Sequence, residues 1–226
     1  MTSKFARTRV QLLSCIFVAA QVHSDIHDGD PFVGVSLHER AQAADGVWPQ
    51  PIVKIQLPQG SIRIRLLPNL AQSSVDFVLR VAKQDRCSSS RECKFYRAER
   101  NFLLQGSMRS QVQPNTQLGV CPPEFVGAPR SSPCPSHDPD CGCHGPVMVP
   151  GMVGWAGGGA GPDFFIYAGD GPATHWNNDH TVWGELADEA STKLVHSILT
   201  LPVHRPPHGM AMLARPIHFE ITLMQS

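Results

Sequence analysis

The sequence lacks the features of several function classes. Lys and Arg number 19 and Asp and Glu also number 19, so no basic surface for nucleic acid or for an anionic membrane is expected. No Gly-x-Ser-x-Gly nucleophile motif occurs. The glycine-rich stretch 157–161 is not followed by Lys and then Ser or Thr, which excludes a phosphate-binding loop of that type. No Asn-x-Ser/Thr site for N-glycosylation is present.

Long hydrophobic runs are also missing, and the one apolar stretch lies close to the N-terminus. Residues 12–20 are mostly apolar and follow Lys4, Arg7 and Arg9 with no acidic residue, a layout typical of a secretory signal peptide. The run is shorter than the roughly 20 apolar residues that span a bilayer, so no membrane span is expected. We predict that residues 1–24 are a signal peptide and that the protein resides in the secretory pathway lumen or is secreted. A mitochondrial targeting segment is the alternative.

Residues that favour turns are plentiful. The 19 Gly and 20 Pro favour many short strands over a helical bundle. Residues 25–49 are polar with little periodicity and are predicted to be a linker or extension, which leaves 50–226 for one mainly β domain. Alternation predicts strands at 53–57, 62–66 and 217–223, and apolar spacing predicts helices at 73–83 and 187–199.

Six of the seven cysteines lie beyond the predicted signal peptide, which contains Cys15. An even number in an exported chain favours disulfides. Cys87 and Cys93 bracket a short polar loop and are predicted to pair with each other. The other four fall in a Pro-rich insertion at about 110–146. Cys141 and Cys143 are too close in sequence to bridge without strain, so each is expected to pair with Cys121 or Cys134.

A zinc site is the alternative for this insertion. Cys134 and His137, followed by Cys141, Cys143 and His144, would supply enough ligands for tetrahedral coordination. Their spacing matches no common zinc finger. An oxidising compartment favours disulfides over thiolate ligands, so no metal site is predicted.

One stretch combines a charged, an amide and several aromatic side chains, and further motifs follow it in a fixed order. The first stretch contains Phe95, Arg97, Phe102, Gln105 and Gly106. The later motifs are 151–158, Pro162 to Ile166 with its paired Phe, Trp176, His180 and 182–184. Together they resemble the signature of the cyclophilin family of peptidyl-prolyl cis–trans isomerases over about the last three quarters of the chain.

The resemblance implies a fold and a reaction. The fold is an eight-stranded antiparallel β-barrel capped by two α-helices. The activity is isomerisation of X-Pro bonds without a cofactor, on proline-containing peptides or unfolded client proteins of the secretory pathway, by a monomer. Rotation about an X-Pro bond faces a barrier of roughly 20 kcal/mol, and a fixed cation that donates a hydrogen bond toward the prolyl nitrogen lowers it.

The resemblance also assigns roles to individual residues. Arg97 is implied to be the catalytic donor, and Gln105 to bind the substrate backbone. Ala156 and Gly157 fall where the family lays the peptide along an extended segment, and Trp176 falls at the rim. The proline pocket is implied to be lined by Phe102, Leu103, Phe165 and His180.

Several positions depart from the family pattern. Tyr96 stands where a His is common, and Leu103 replaces Met. Gly157 replaces an Asn, and Asp163 replaces a Gln. The segment from Trp176 to His180 is shorter than usual, with Asn177 in place of Leu. Gly157, Asp163 and the shortened segment motivate an alternative function, a catalytically weak proline-peptide binding module; a metal-binding or redox role of the insertion is a second alternative.

Overall fold

The structure is a computed structural model, and it describes residues 50–88, 92–113, 138, 140–141, 143, 145–156, 162–207 and 209–224. The predicted signal peptide and linker, most of the insertion and Gly157 lie outside these residues. Those expectations therefore stay predictions.

The described residues form one antiparallel sheet and two α-helices. The strands are β1 (Ile52–Leu57), β2 (Gly60–Leu66), β3 (Cys93–Glu99), β4 (Leu103–Met108), β5 (Met152–Trp155), β6 (Asp163–Tyr167), β7 (Val182–Leu186), β8 (Val203–His204), β9 (Met212–His218) and β10 (Glu220–Leu223). The helices are α1 (Pro68–Arg80), continued by a π-helical turn at Val81–Asp85, and α2 (Glu189–Ile198), and a 3-10 turn spans Thr174–Trp176. The strand order is β10-β1-β2-β7-β5-β6-β4-β3-β9-β8.

The two ends of this sheet are carried by one bent segment. β10 pairs with β1 and β9 pairs with β3, and only Phe219 separates β9 from β10. The backbone N–H of Phe219 donates to the carbonyl of Cys93 at 3.2 Å. The sheet therefore curls round on itself, as a barrel does.

The predicted class, a mainly β curled sheet with two helices, is confirmed. The strand count differs: the structure has ten strands in its described part rather than eight. The predicted last strand, 217–223, is divided at Phe219, and the two-residue β8 was not predicted.

The predicted β-hairpin at the start of the domain is confirmed. β1 and β2 pair along their whole length, and their inward residues Val53, Ile55, Ile62 and Ile64 have no exposed surface. Gly60 closes the turn with a φ of +147°, which a residue with a side chain rarely adopts.

The two helices pack on the sheet through one face each. α1 begins at Pro68, a favoured residue in the first turn, and has an irregular residue at Ala71, with φ −153°. α2 begins after Asp188, whose carboxylate accepts from the backbone N–H of Ser191 at 2.8 Å. This N-cap satisfies a donor that the helix itself leaves free.

The predicted pairing of Cys87 with Cys93 is confirmed by an S–S distance of 2.10 Å. Cys141 and Cys143 are also disulfide-bonded, so they offer no thiolate to a zinc ion. Cys121 and Cys134 lie outside the described residues. Within the described part of the chain no group of three or more His, Cys, Asp or Glu could hold a metal ion, and no helix there is long and apolar enough to cross a membrane.

Candidate active site

An irregularity in β3 turns the Arg97 side chain out of the barrel. Phe95 pairs with Gly106 and Arg97 pairs with Gln105, which leaves Tyr96 as an extra residue between them. Such a bulge re-aims the side chains that follow it. Phe95, before the bulge, has no exposed surface. Tyr96 and Arg97, at and after the bulge, are both half-buried. Regular alternation would have put Arg97 in the core with Phe95.

Arg97, Gln105 and Phe165 form a row across β3, β4 and β6. Gln105 is directly opposite Arg97 on one side and Phe165 on the other, so their side chains share one face. Nη1 of Arg97 donates to Oε1 of Gln105 at 2.9 Å. Next to this row, β3 and β4 approach closely at Gly106. A Cβ on this residue would lie 2.8 Å from the carbonyl oxygen of Lys94.

The other end of the Gln105 amide is also fixed. Its Nε2 donates to the hydroxyl of Tyr96 at 2.8 Å, and that hydroxyl is hydrogen-bonded to the carboxylate of Asp163. Burial and the nearby charge of Asp163 raise the pKa of Tyr96 well above its usual range, so the phenol stays protonated. The two departures from the family pattern at Tyr96 and Asp163 therefore contact each other and orient Gln105.

On its other side, Arg97 contacts Glu99. Nε of Arg97 donates to Oε1 of Glu99 at 3.4 Å. Burial acts to raise the pKa of Glu99, but the backbone N–H of Ala211 and the charges of Arg205 and Arg97 outweigh it and lower that pKa. Glu99 is therefore an ionised carboxylate at neutral pH.

The predicted pocket residues lie together beside this row as an aromatic cluster. The ring centroids of Phe102 and Trp176 are 5.1 Å apart, those of Phe165 and Trp176 5.4 Å, and those of Phe165 and His180 5.0 Å. The apolar side chains Leu103 and Ala156 belong to the same cluster. The predicted substrate-binding residues are thus brought together except Gly157, which the structure does not describe.

His180 presents a neutral ring to the cluster. Burial lowers its pKa, although a hydrogen bond with the carbonyl of Trp155 and the charge of Asp179 act in the opposite direction. The Nδ1 of His180 lies 3.2 Å from that carbonyl oxygen. The ring of His180 therefore adds no charge to the pocket wall at neutral pH.

Sequence reasoning missed four residues that contact the site. Glu99 and its partner Arg205 contact the Arg97 side, and Tyr167 and His175 pack against Trp176. The spacing of Arg97 and Glu99, two residues apart on a strand, was the one available signal, since it places both on one face. Nothing in the sequence pointed to Arg205.

A curled antiparallel sheet with an arginine beside an apolar aromatic cluster has the site chemistry of a prolyl isomerase. The family model described as "Cyclophilin type peptidyl-prolyl cis-trans isomerase/CLD" matches residues 52–215. This match covers well over half of the chain. The chain therefore belongs to the cyclophilin-type peptidyl-prolyl cis–trans isomerase family.

One solved structure supports the fold. A cyclophilin-type peptidyl-prolyl cis–trans isomerase from Cryptosporidium parvum, crystallised in the presence of the dipeptide Ala-Pro, is 14% identical with a TM-score of 0.50, over 77% of this chain and 99% of the other. A second structure of that protein has 15% identity and a TM-score of 0.47, over 78% and 99%. The search of curated protein sequences gave no significant match.

Proposed function

We propose that this protein isomerises X-Pro peptide bonds with Arg97 as the catalytic residue. The observation that carries the proposal is the position of the Arg97 guanidinium: it is bonded to Gln105 in the row that ends at Phe165 in the aromatic cluster. A cation and an apolar pocket are the two elements that this reaction requires.

The chemistry follows from the amide bond. Delocalisation of the nitrogen lone pair into the carbonyl gives the bond its barrier of roughly 20 kcal/mol. A hydrogen bond from Arg97 to the prolyl nitrogen withdraws that lone pair and favours the twisted state over both planar states. The interaction is stronger in the transition state than in the ground state, which is the condition for catalysis.

The remaining groups hold the substrate. Phe102, Phe165 and the neutral ring of His180 offer apolar surface to the pyrrolidine ring. Gln105, whose amide is fixed by Arg97 and Tyr96, is placed to meet the peptide backbone. The dipeptide Ala-Pro with which the Cryptosporidium parvum protein was crystallised is a ligand of the same chemistry.

We further propose that the clients are proteins of the secretory pathway and that the enzyme assists their folding. The cationic and apolar layout of residues 1–24 supports this, as do the disulfide-bonded residues Cys87, Cys93, Cys141 and Cys143, because disulfides persist in oxidising compartments. N-terminal sequencing of the protein recovered from the medium or lumen tests it. A mature chain that begins near residue 25 is expected; retention of residues 1–24 or recovery from mitochondria would contradict it.

The test of the activity compares wild type with Arg97→Ala on an X-Pro peptide, with cis–trans exchange followed by NMR. Loss of one positioned donor costs about 100-fold or more in rate, so the acceleration should disappear in the variant. Arg215→Ala is the matched control, because Arg215 is an exposed arginine on β9 outside the site, and it should keep full activity. Equal acceleration by wild type and Arg97→Ala would refute the role of Arg97.

The second candidate is a proline-peptide binding module with weak catalysis. The packing of Trp176 on Phe102 and Phe165 favours weak catalysis, because the indole covers the rings that would hold the proline and must move before each turnover. Peptide binding by wild type without acceleration would identify this function instead.

A further inference from the structure

Glu99 is a buried carboxylate that the reaction described above does not use. It lies two residues after Arg97 on β3, and its side chain is only 11% exposed. A carboxylate is seldom buried unless it is paired. Its partners come from β3 itself and from the segment between β8 and β9.

Both oxygens of this carboxylate are held. Oε1 accepts from the backbone N–H of Ala211 at 2.8 Å and from Nε of Arg97 at 3.4 Å. Oε2 accepts from Nη2 of Arg205, whose Nη1 also donates to the carbonyl of Gly209 at 3.3 Å. The orientation of Glu99 is therefore fixed by groups outside its own strand.

These contacts constrain the guanidinium of Arg97. The group is planar and rigid, so a contact to Nε and a second contact to Nη1 fix its plane, whereas the Gln105 contact alone would leave it free to turn. Among the described residues, the second Nη1 hydrogen and the Nη2 hydrogens have no hydrogen-bond partner beyond the contacts to Glu99 and Gln105. They are the donors available to a substrate.

We propose that Glu99 is a positioning residue for Arg97, fixing the direction of its free donors. The inference rests on the proposed function, in which Arg97 is the catalytic residue. Arg205 and the Ala211 amide act through Glu99, because they hold the carboxylate that holds the guanidinium. Arg205 also offsets the negative charge of Glu99, so that the cationic character of Arg97 toward the substrate is kept.

The substitution that isolates this role is Glu99→Gln. It preserves the shape and one acceptor oxygen but removes the charge, and so weakens the contact to Nε. A small misplacement of a catalytic donor costs up to about 100-fold in rate, and we expect kcat to fall at least about tenfold with KM within about twofold of wild type. Glu185→Gln is the matched control, because Glu185 also pairs with an arginine, Arg65, and neither residue belongs to the Arg97 row or the aromatic cluster.

Two further measurements separate positioning from a purely structural role. The NMR ¹⁵Nε–¹Hε signal of Arg97, assigned from its absence in Arg97→Ala, should shift or broaden in Glu99→Gln and stay in place in Glu185→Gln. Arg205→Gln removes the outer partner, whose side chain is 56% exposed, and leaves the Glu99 contact to Arg97. It should lower kcat less than Glu99→Gln does.

Each outcome is decisive. Unchanged kcat in Glu99→Gln overturns the proposal. A second outcome also overturns it: kcat falls in proportion to the loss of thermal stability, to the same extent in Glu99→Gln and Arg205→Gln, and the Arg97 signal stays in place. If wild type itself shows no acceleration, the proposed function fails instead, and the Arg97 signal in Glu99→Gln still decides whether Glu99 fixes the guanidinium.

Discussion

Trp176 lies edge-on against Phe165, with ring centroids 5.4 Å apart and planes at 70°. It also contacts Phe102 at 5.1 Å and His180 at 4.9 Å. Rings at such distances are in van der Waals contact, so a pyrrolidine ring can enter between them only after the indole moves. The residue after Trp176, Asn177, has a positive φ of 49°.

We therefore expect Trp176→Ala to speed the association of a proline peptide. If the open pocket is populated about a third of the time or less, removal of the indole raises the association rate about threefold or more. Stopped-flow fluorescence with a labelled peptide measures this rate, with Trp176→Phe as the control that keeps a ring. An association rate that is unchanged or lower in Trp176→Ala would contradict the prediction.

The ring of His180 should make stability depend on pH. Its pKa is lowered by burial in the folded state, so the unfolded state binds a proton more readily, and folding stability rises with pH. The stability that the buried neutral ring contributes is present above the pKa of His in the unfolded state, about 6.5. It is lost as the pH falls from there toward the pKa of His180 in the folded state. Between pH 7.5 and 5, the free energy of unfolding in urea should fall less for His180→Phe than for wild type. If it falls equally in both proteins, the prediction is wrong.

Asp140 attaches the Cys-rich insertion to α1. Asp140 is 2% exposed, and its carboxylate accepts from the backbone N–H of Ser74 at 2.8 Å and from the Ser74 hydroxyl at 2.6 Å. The irregular backbone at Ala71 interrupts the helical bonding that would otherwise use this N–H. Asp140→Ala leaves a buried donor without an acceptor and should cost about 1–3 kcal/mol.

The measurement is the free energy of unfolding in urea. Ser74→Ala is the control, because it removes only the hydroxyl contact and should cost less than Asp140→Ala. If the two variants are equally stable, the backbone contact contributes nothing.

The sequence was informative where the structure is local or where motifs occur in order. The hairpin of β1 and β2 follows from alternation around a short turn, and the order of motifs located Arg97, Gln105 and Phe165. The break at Phe219 could not be predicted, because the alternation continues through it and its cause is a bond to Cys93, distant in sequence.

The outward turn of Arg97 shows the same limit. It depends on a mismatch in register between β3 and β4 at Tyr96, which neither strand reveals on its own. The contact between Glu99 and Arg205 joins residues 106 positions apart. The alternation of apolar and polar residues along one strand cannot predict such a pair.

The Cys87–Cys93 disulfide closes the loop that leads into β3, the strand of Arg97. Cross-linking so short a loop stabilises the fold by about 2 kcal/mol through the entropy of the unfolded chain. The double variant Cys87→Ser, Cys93→Ser should lose about that much free energy of unfolding in oxidising buffer. Cys93 lies at the start of β3, and Arg97 lies four residues further along the strand, where Gln105 and Glu99 hold its side chain. The variant should therefore retain kcat at temperatures where it is folded.

Addition of a reducing agent provides the control for this last experiment. Wild type should lose more stability on reduction than the variant does, because only wild type still has this bond, while Cys141 and Cys143 are reduced in both. The difference between the two losses isolates the contribution of Cys87–Cys93. Equal losses, or a variant as stable as wild type before reduction, would show that the bond leaves the folding equilibrium unchanged and that β3 is held by its strand partners alone.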